Sequence, residues 1–178
     1  MGNIDLDYYL EQALKLQETA WFEDDTAIGA ACLVIPSTGE AIFDVCTDVG
    51  HNCFSHAEQK VIVEYLERHN KPLPKEAVII TTIAPCSNKN SSWRVGDSCS
   101  SLIEKYGVTK VYAGMVTSEN HSHGRFSLKV TQDEKLAQIC QKLQGLFNLK
   151  APRQGDGSIG RLITAYKKRN IFNRVFRA

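Results

Sequence analysis

The sequence predicts an α/β protein built on a mixed sheet with a parallel second half. Two observations carry this. Two strand-like runs, IGAACLVI (28–35) and EAIFDVC (40–46), flank PSTG, whose Pro and Gly punctuation marks a hairpin. Beyond the hairpin, strand-like runs alternate with helix-period segments, the pattern of helices covering a sheet whose strands run parallel.

Leu6, Leu10, Ala13, Leu14 and Trp21 recur at helical spacing and predict an amphipathic helix over about 5–21, ahead of the hairpin. A second helix is expected from about 56 to 69, with Ala57, Val61, Ile62, Tyr65 and Leu66 on its inner side. AVIITTI (77–83) is a buried-strand run that ends at Ala84-Pro85-Cys86. A short helix begins near Ser98 and stops at Gly107, a residue suited to the C-terminal cap. KVYAGMV (110–116) and FSLKV (126–130) supply two more strands. Helices over about 132–144 and 159–172, joined by the loop KAPRQGDGS, close the chain. No repeat, low-complexity tract or domain boundary interrupts this order. Residues 1–178 are therefore expected to form a single domain, with an N-terminal helical segment (1–26) and a basic C-terminal one (150–178).

At 178 residues and 43% hydrophobic the chain is long enough to bury a core, and its net charge of +1 selects no class of partner. The charge is unevenly distributed. Residues 1–26 hold seven acids against Lys15, and residues 150–178 hold eight Lys/Arg against Asp156. No stretch reaches the roughly 18 apolar residues of a membrane span, so no membrane contact is expected, and the acidic N-terminus does not resemble a signal peptide. Six cysteines without such a signal point to a reducing, cytoplasmic setting, where cysteines bind metal or fill cores.

Four residues carry the chemistry: His56 and Glu58 in SHAEQK, Cys86 ending TTIAPC, and Cys99 opening CSSLIEKYG. One neutral imidazole and two thiolates make a three-ligand tetrahedral zinc site with a fourth position left for water. Glu58 is spaced to carry protons rather than to bind metal, and a His-x-Glu followed by two cysteines is the signature of zinc deaminases acting on nucleobases. Each ligand falls where the backbone helps. His56 and Glu58 open one predicted helix and Cys99 another, where the helix dipole favours a thiolate. Cys86 lies just past a strand end, at the usual crevice of an α/β sheet. Cys32, Cys46 and Cys140 sit in apolar patterns and are expected to fill core. His51 and Cys53 could line the pocket or form another metal set, but the latter leaves Cys86 and Cys99 unexplained. His121-Ser122-His123 is expected to be an exposed turn.

Taken together, YYLEQALKLQETA, IGAACLVI, HAE, TTIAPC and CSSLIEKYGVTKVYAG resemble the cytidine deaminase-like superfamily over roughly residues 5–145. The resemblance is closest to the branch of tRNA adenosine, cytosine and guanine deaminases, in which a Gly follows the second cysteine by eight residues, as Gly107 follows Cys99. It implies a three-layer α/β/α fold around a central mixed five-stranded sheet. It also implies hydrolytic deamination, with the Ala57 N–H and the Ala84 carbonyl holding the base near zinc. Two departures stand out. The family usually has two residues between the cysteines, whereas here SNKNSSWRVGDS (87–98) supplies twelve. Tied at both ends to zinc ligands, that insert must lie near the mouth of the site. There Trp93-Arg94 either stacks on a base and meets a phosphate or packs the loop down, the second being preferred. Many relatives also carry a substrate-contacting Asn at the end of the second strand. FDVCTDVGHN offers no Asn in clear register, leaving Thr47, Asp48 or Asn52 to substitute.

The tail RLITAYKKRNIFNRVFRA interleaves six Lys/Arg with aliphatic and aromatic residues. Such a segment fits a nucleic acid, or it packs on the sheet or a neighbouring subunit, as C-terminal segments of guanine deaminase relatives do across a dimer. Packing, with a homo-oligomer completing the pocket, is preferred. The sequence therefore predicts a zinc-dependent hydrolase for a cytosine-type base, nucleoside or nucleotide. An adenosine in tRNA or another nucleic acid comes second, and a non-catalytic, zinc-containing nucleotide-binding module third.

Overall fold

The computed structural model describes residues 4–24, 27–47, 56–87, 98–117 and 125–150. They form α1 (Leu6–Asp24), β1 (Ala27–Ile35), β2 (Glu40–Thr47), α2 (Ala57–His69), β3 (Val78–Thr81), α3 (Cys99–Lys105), β4 (Lys110–Ala113), β5 (Ser127–Val130) and α4 (Glu134–Lys150). The five strands make one sheet in the order β2-β1-β3-β4-β5. β1 pairs antiparallel with both β2 and β3, while β3–β4 and β4–β5 are parallel. The hairpin and the parallel half are both as expected.

Strand periodicity builds the layers. Alternate residues of a strand face opposite sides of the sheet. Ala31, Leu33, Ile35, Ile79 and Val111 join one core with Val61, Ile62 and Tyr65 of α2 and Ile103 of α3. Cys32, Val34, Val78, Ile80 and Tyr112 join a second core with Leu10 and Leu14 of α1 and Leu136, Cys140 and Leu143 of α4. Both faces of the central strands are covered, which is why β1 and β3 are almost continuously apolar rather than alternating. The result is the expected three-layer arrangement.

Local chemistry decides where elements stop, and here the sequence-based bounds need adjusting. β3 ends at Thr81 instead of residue 83, because the Thr81 hydroxyl donates to the Ile83 carbonyl at 2.9 Å and bends the chain out of the ladder. The side chain of Thr82 takes over part of the pairing, its Oγ1 accepting the Ala30 N–H at 3.0 Å. β4 ends at Ala113 rather than residue 116, although the Gly114 N–H still donates to the Thr81 carbonyl at 2.9 Å; α4 lies close to Gly114, where a Cβ would be 2.2 Å from Cys140 Sγ. α4 runs on to Lys150 instead of stopping near 144, since no proline occurs before Pro152. α3 ends as foreseen. Gly107, at φ +74, donates to the Glu104 carbonyl and Val108 to that of Ile103, while Val108 and Ile103 share a core. This is a Schellman cap. No helix among the described residues is long and apolar enough to cross a membrane. The expected helix 159–172 and the whole basic tail lie outside the described residues, as does most of the insert.

Candidate metal centre

Three chain segments converge on one point at the α2/α3 side of the sheet. The first is the start of α2. His56 is its N-cap in extended conformation, and its N–H donates to Gln59 Oε1 at 3.0 Å while its carbonyl accepts from Gln59 and Lys60. This reciprocal cap fixes the direction in which the imidazole leaves the helix. Lys60 ties the same turn to the sheet, its Nζ donating to the Val45 carbonyl at 2.8 Å with Asp44 Oδ1 at 3.4 Å.

The second and third segments are built on one another. Beyond β3, the Ala84 N–H donates to the Met115 carbonyl at 2.8 Å, and the Cys86 carbonyl accepts the Ser100 N–H at 3.1 Å. Ser98 caps α3, its Oγ accepting the Ser101 N–H at 3.2 Å. Between these anchors the Cys99 N–H donates to Cys86 Sγ at 3.2 Å. The first N–H of the helix thus faces a sulfur, which favours its thiolate.

Ligand atoms of His56, Cys86 and Cys99 all lie within 4.8 Å of one another, and Cys99 Sγ is 3.3 Å from His56 Nδ1. Tetrahedral zinc, with Zn–S near 2.3 Å and Zn–N near 2.0–2.1 Å, places its ligand atoms roughly 3.5–3.8 Å apart. Two thiolates and an imidazole are the donor types zinc prefers. The three residues fit the metal, and a set of three leaves a fourth coordination position for a reactant.

Glu58 adjoins this cluster from the first turn of α2 and is only 6% exposed. Its Oε2 is 3.7 Å from Cys99 Sγ, and its Oε1 is 3.3 Å from the Thr81 hydroxyl. Burial pushes the Glu58 carboxyl above the usual carboxylate range. His56 and hydrogen bonds from its own backbone and Cys99 oppose that rise, and Cys86 adds to it. A carboxyl held this way is suited to accept and return a proton.

Other candidate residues separate clearly. Ala57 is the first residue of α2 and Ala84 precedes Cys86 by two positions; both are buried. Cys32, Cys46 and Cys140 fill core, and burial pushes the Cys32 and Cys140 thiols up to about 12, leaving them unreactive. Asp48, Asn52, Trp93 and Arg94 lie outside the described residues, as do His51, Cys53, His121 and His123. Sequence reasoning missed Thr81. Its signal was a hydroxyl inside the aliphatic run AVIITT, because a buried hydroxyl must find partners.

The model of the cytidine and deoxycytidylate deaminase zinc-binding region matches residues 4–115, taking in His56, Glu58, both cysteines and the twelve residues between them. No curated protein is detectably similar to the chain in sequence. Among solved structures, the chain resembles a diaminohydroxyphosphoribosylaminopyrimidine deaminase/5-amino-6-(5-phosphoribosylamino)uracil reductase from Thermotoga maritima. The TM-score is 0.57 at 17% identity, over 80% of this chain and 40% of that one, so the chain matches well under half of the bifunctional protein. A Rib2 deaminase from Aspergillus oryzae superposes with a TM-score of 0.53 at 19% identity, over 75% of this chain and 89% of that one. A tRNA:A34 deaminase superposes with a TM-score of 0.54 at 19% identity, over 77% and 99%. At such identities the structural likeness is one of fold. The family match covers most of the chain and includes the zinc-ligand cluster just described; the chain belongs to the cytidine and deoxycytidylate deaminase zinc-binding family.

Proposed function

We propose that this chain hydrolyses the exocyclic amino group of a cytosine-type base, nucleoside or nucleotide, water and the amino-base giving the oxo-base and ammonia. The observation that carries this reading is the buried Glu58 carboxyl beside a three-ligand set of His56, Cys86 and Cys99. Zinc held there supplies the Lewis acidity that lets water act as a nucleophile near neutral pH. Glu58 would take one proton from water and deliver it to the ring nitrogen, then move the second water proton from the new C–O–H to the amine, which leaves as ammonia. The Ala57 N–H and Ala84 carbonyl are assigned to the amide and amino edges of the base. Asp48, Asn52, Trp93 and Arg94 are assigned to the mouth because they fall in residues 48–55 and 87–98, which flank the ligands in sequence. The chain acts as one domain, in a homo-oligomer whose basic segment 150–178 packs between subunits.

A second reading, deamination of an adenosine in tRNA, is supported by the fold likeness spanning 99% of the tRNA:A34 deaminase and by the basic tail. Ammonia release from cytosine, cytidine, deoxycytidylate, guanine, adenosine and a tRNA pool by zinc-loaded protein separates the two. Turnover of a cytosine-type compound supports the first reading, and turnover of tRNA alone supports the second. No ammonia from any of them would leave a zinc-containing nucleotide-binding module and overturn both.

A further inference from the structure

Thr81 is the last residue of β3 and one of few polar side chains in the buried interior, at 2% exposure. It stands on the same face of the sheet as Ile79, the face covered by α2. Its single hydroxyl has three oxygen neighbours: the Ile83 carbonyl at 2.9 Å, the Ala30 carbonyl at 3.3 Å and Glu58 Oε1 at 3.3 Å. The two backbone contacts fix the hydroxyl at the point where the strand bends toward Cys86. The third fixes which way the carboxyl faces. With Oε1 turned to the sheet, Oε2 is the oxygen on the ligand side, 3.7 Å from Cys99 Sγ.

The hydroxyl has one proton for these three acceptors, and Glu58 Oε1 is the one side-chain oxygen among them. Its two backbone contacts set where the hydroxyl stands, so the place of Oε1 follows from the bend of the strand. Valine has the same shape and fits a buried strand, but it would leave Oε1 without this contact.

We propose that Thr81 is a positioning residue for Glu58, holding Oε1 so that Oε2 is the oxygen that exchanges protons with water and base. The inference rests on the reading of Glu58 as the proton carrier. The test compares zinc-loaded wild type, Thr81→Val, Thr81→Ser and Glu58→Gln on whichever compound of the six-member panel the wild type deaminates. Losing one hydrogen bond to the reacting carboxyl should lower kcat about tenfold in Thr81→Val, with KM within about twofold of wild type. Zinc content should be unchanged, and Thr81→Ser, which keeps the hydroxyl, should recover most of kcat. A wild-type kcat in Thr81→Val would overturn the proposal, as would equal impairment in the Val and Ser variants, which marks a packing effect. The control separates the two readings: an active Glu58→Gln removes the role of Glu58 itself, whereas an inactive Glu58→Gln beside a fully active Thr81→Val removes only the role of Thr81. A crystal structure of zinc-loaded Thr81→Val gives an answer independent of turnover. A rotated Glu58 carboxyl supports the proposal, and an unmoved one overturns it.

Discussion

Two carboxylates on opposite faces of the sheet are held in contrasting ways. On the α1/α4 side, Asp7 Oδ1 accepts two hydroxyl protons, from Tyr112 at 2.6 Å and from Thr131 at 2.7 Å. Both are short, strong bonds. The Tyr112 hydroxyl is pushed up to about 12 by burial and by the Asp7 carboxyl it donates to, so the arrangement locks one proton in place. On the α2/α3 side, Glu58 is more deeply buried, yet its side-chain neighbours stand at 3.3 and 3.7 Å. Asp7 is held by two short hydroxyl bonds, whereas Glu58, proposed above as the proton carrier, has longer side-chain contacts beside the metal-ligand set. Buried polar groups are usually fully satisfied, and departures concentrate where chemistry is done.

The contrast can be broken in four ways, and the largest effect should come from the ligand cluster. Cys99→Ala removes one of three zinc donors, and the protein should lose near-stoichiometric zinc and all turnover together, read by elemental analysis and ammonia release. Full zinc in this variant would put the metal elsewhere. Glu58→Gln should keep zinc and fold but lower kcat by about 10²–10⁴-fold or more, since proton transfer in the transition state contributes about that much.

Asp7→Asn tests the other face. It should cost about 1–3 kcal/mol of stability by denaturant unfolding, the range for hydrogen bonds to a charged group, with kcat unchanged. A loss of kcat at constant stability would erase the distinction between the two carboxylates. The smallest effect is expected in alkali. Tyr112 keeps its proton to about pH 12 when folded but ionises near 10 when unfolded, so stability should fall as pH rises from 10 toward 12. Tyr112→Phe should flatten that decline in a Tm-versus-pH series, leaving the part that begins lower, from the raised Cys32 and Cys140 thiols. An identical slope in the Phe variant would mean that Tyr112 is not locked.

The same contrast explains what was legible in the sequence. His56, Glu58, Cys86 and Cys99 could be read because each sits at an element end fixed by local signals: a helix start, a strand end before Pro85, and a helix closed by Gly107. The layers were expected from the succession of strand-like and helix-period segments and from the family resemblance, whereas the division of Ala31 and Leu33 from Cys32 and Val34 between two cores is seen only in the structure. The Asp7–Tyr112 and Asp7–Thr131 bonds were not legible, because they join residues 105 and 124 positions apart. No local pattern encodes such pairs. Thr81 falls between these cases. Strand periodicity puts it on the α2 face, but its meeting with Glu58 depends on how α2 lies across β3. The ends of β3 and β4 fall short of Ile83 and Val116 because apolar composition continues past the last regular strand residues, Thr81 and Ala113.

The most direct measurement sets the two carboxylates against each other: zinc content, Tm and ammonia release for Glu58→Gln and Asp7→Asn, purified and zinc-loaded in parallel. The account predicts a stable, zinc-bound and inactive Glu58→Gln beside a destabilised, zinc-bound Asp7→Asn with wild-type kcat. Deaminase activity retained in Glu58→Gln with full zinc would contradict it.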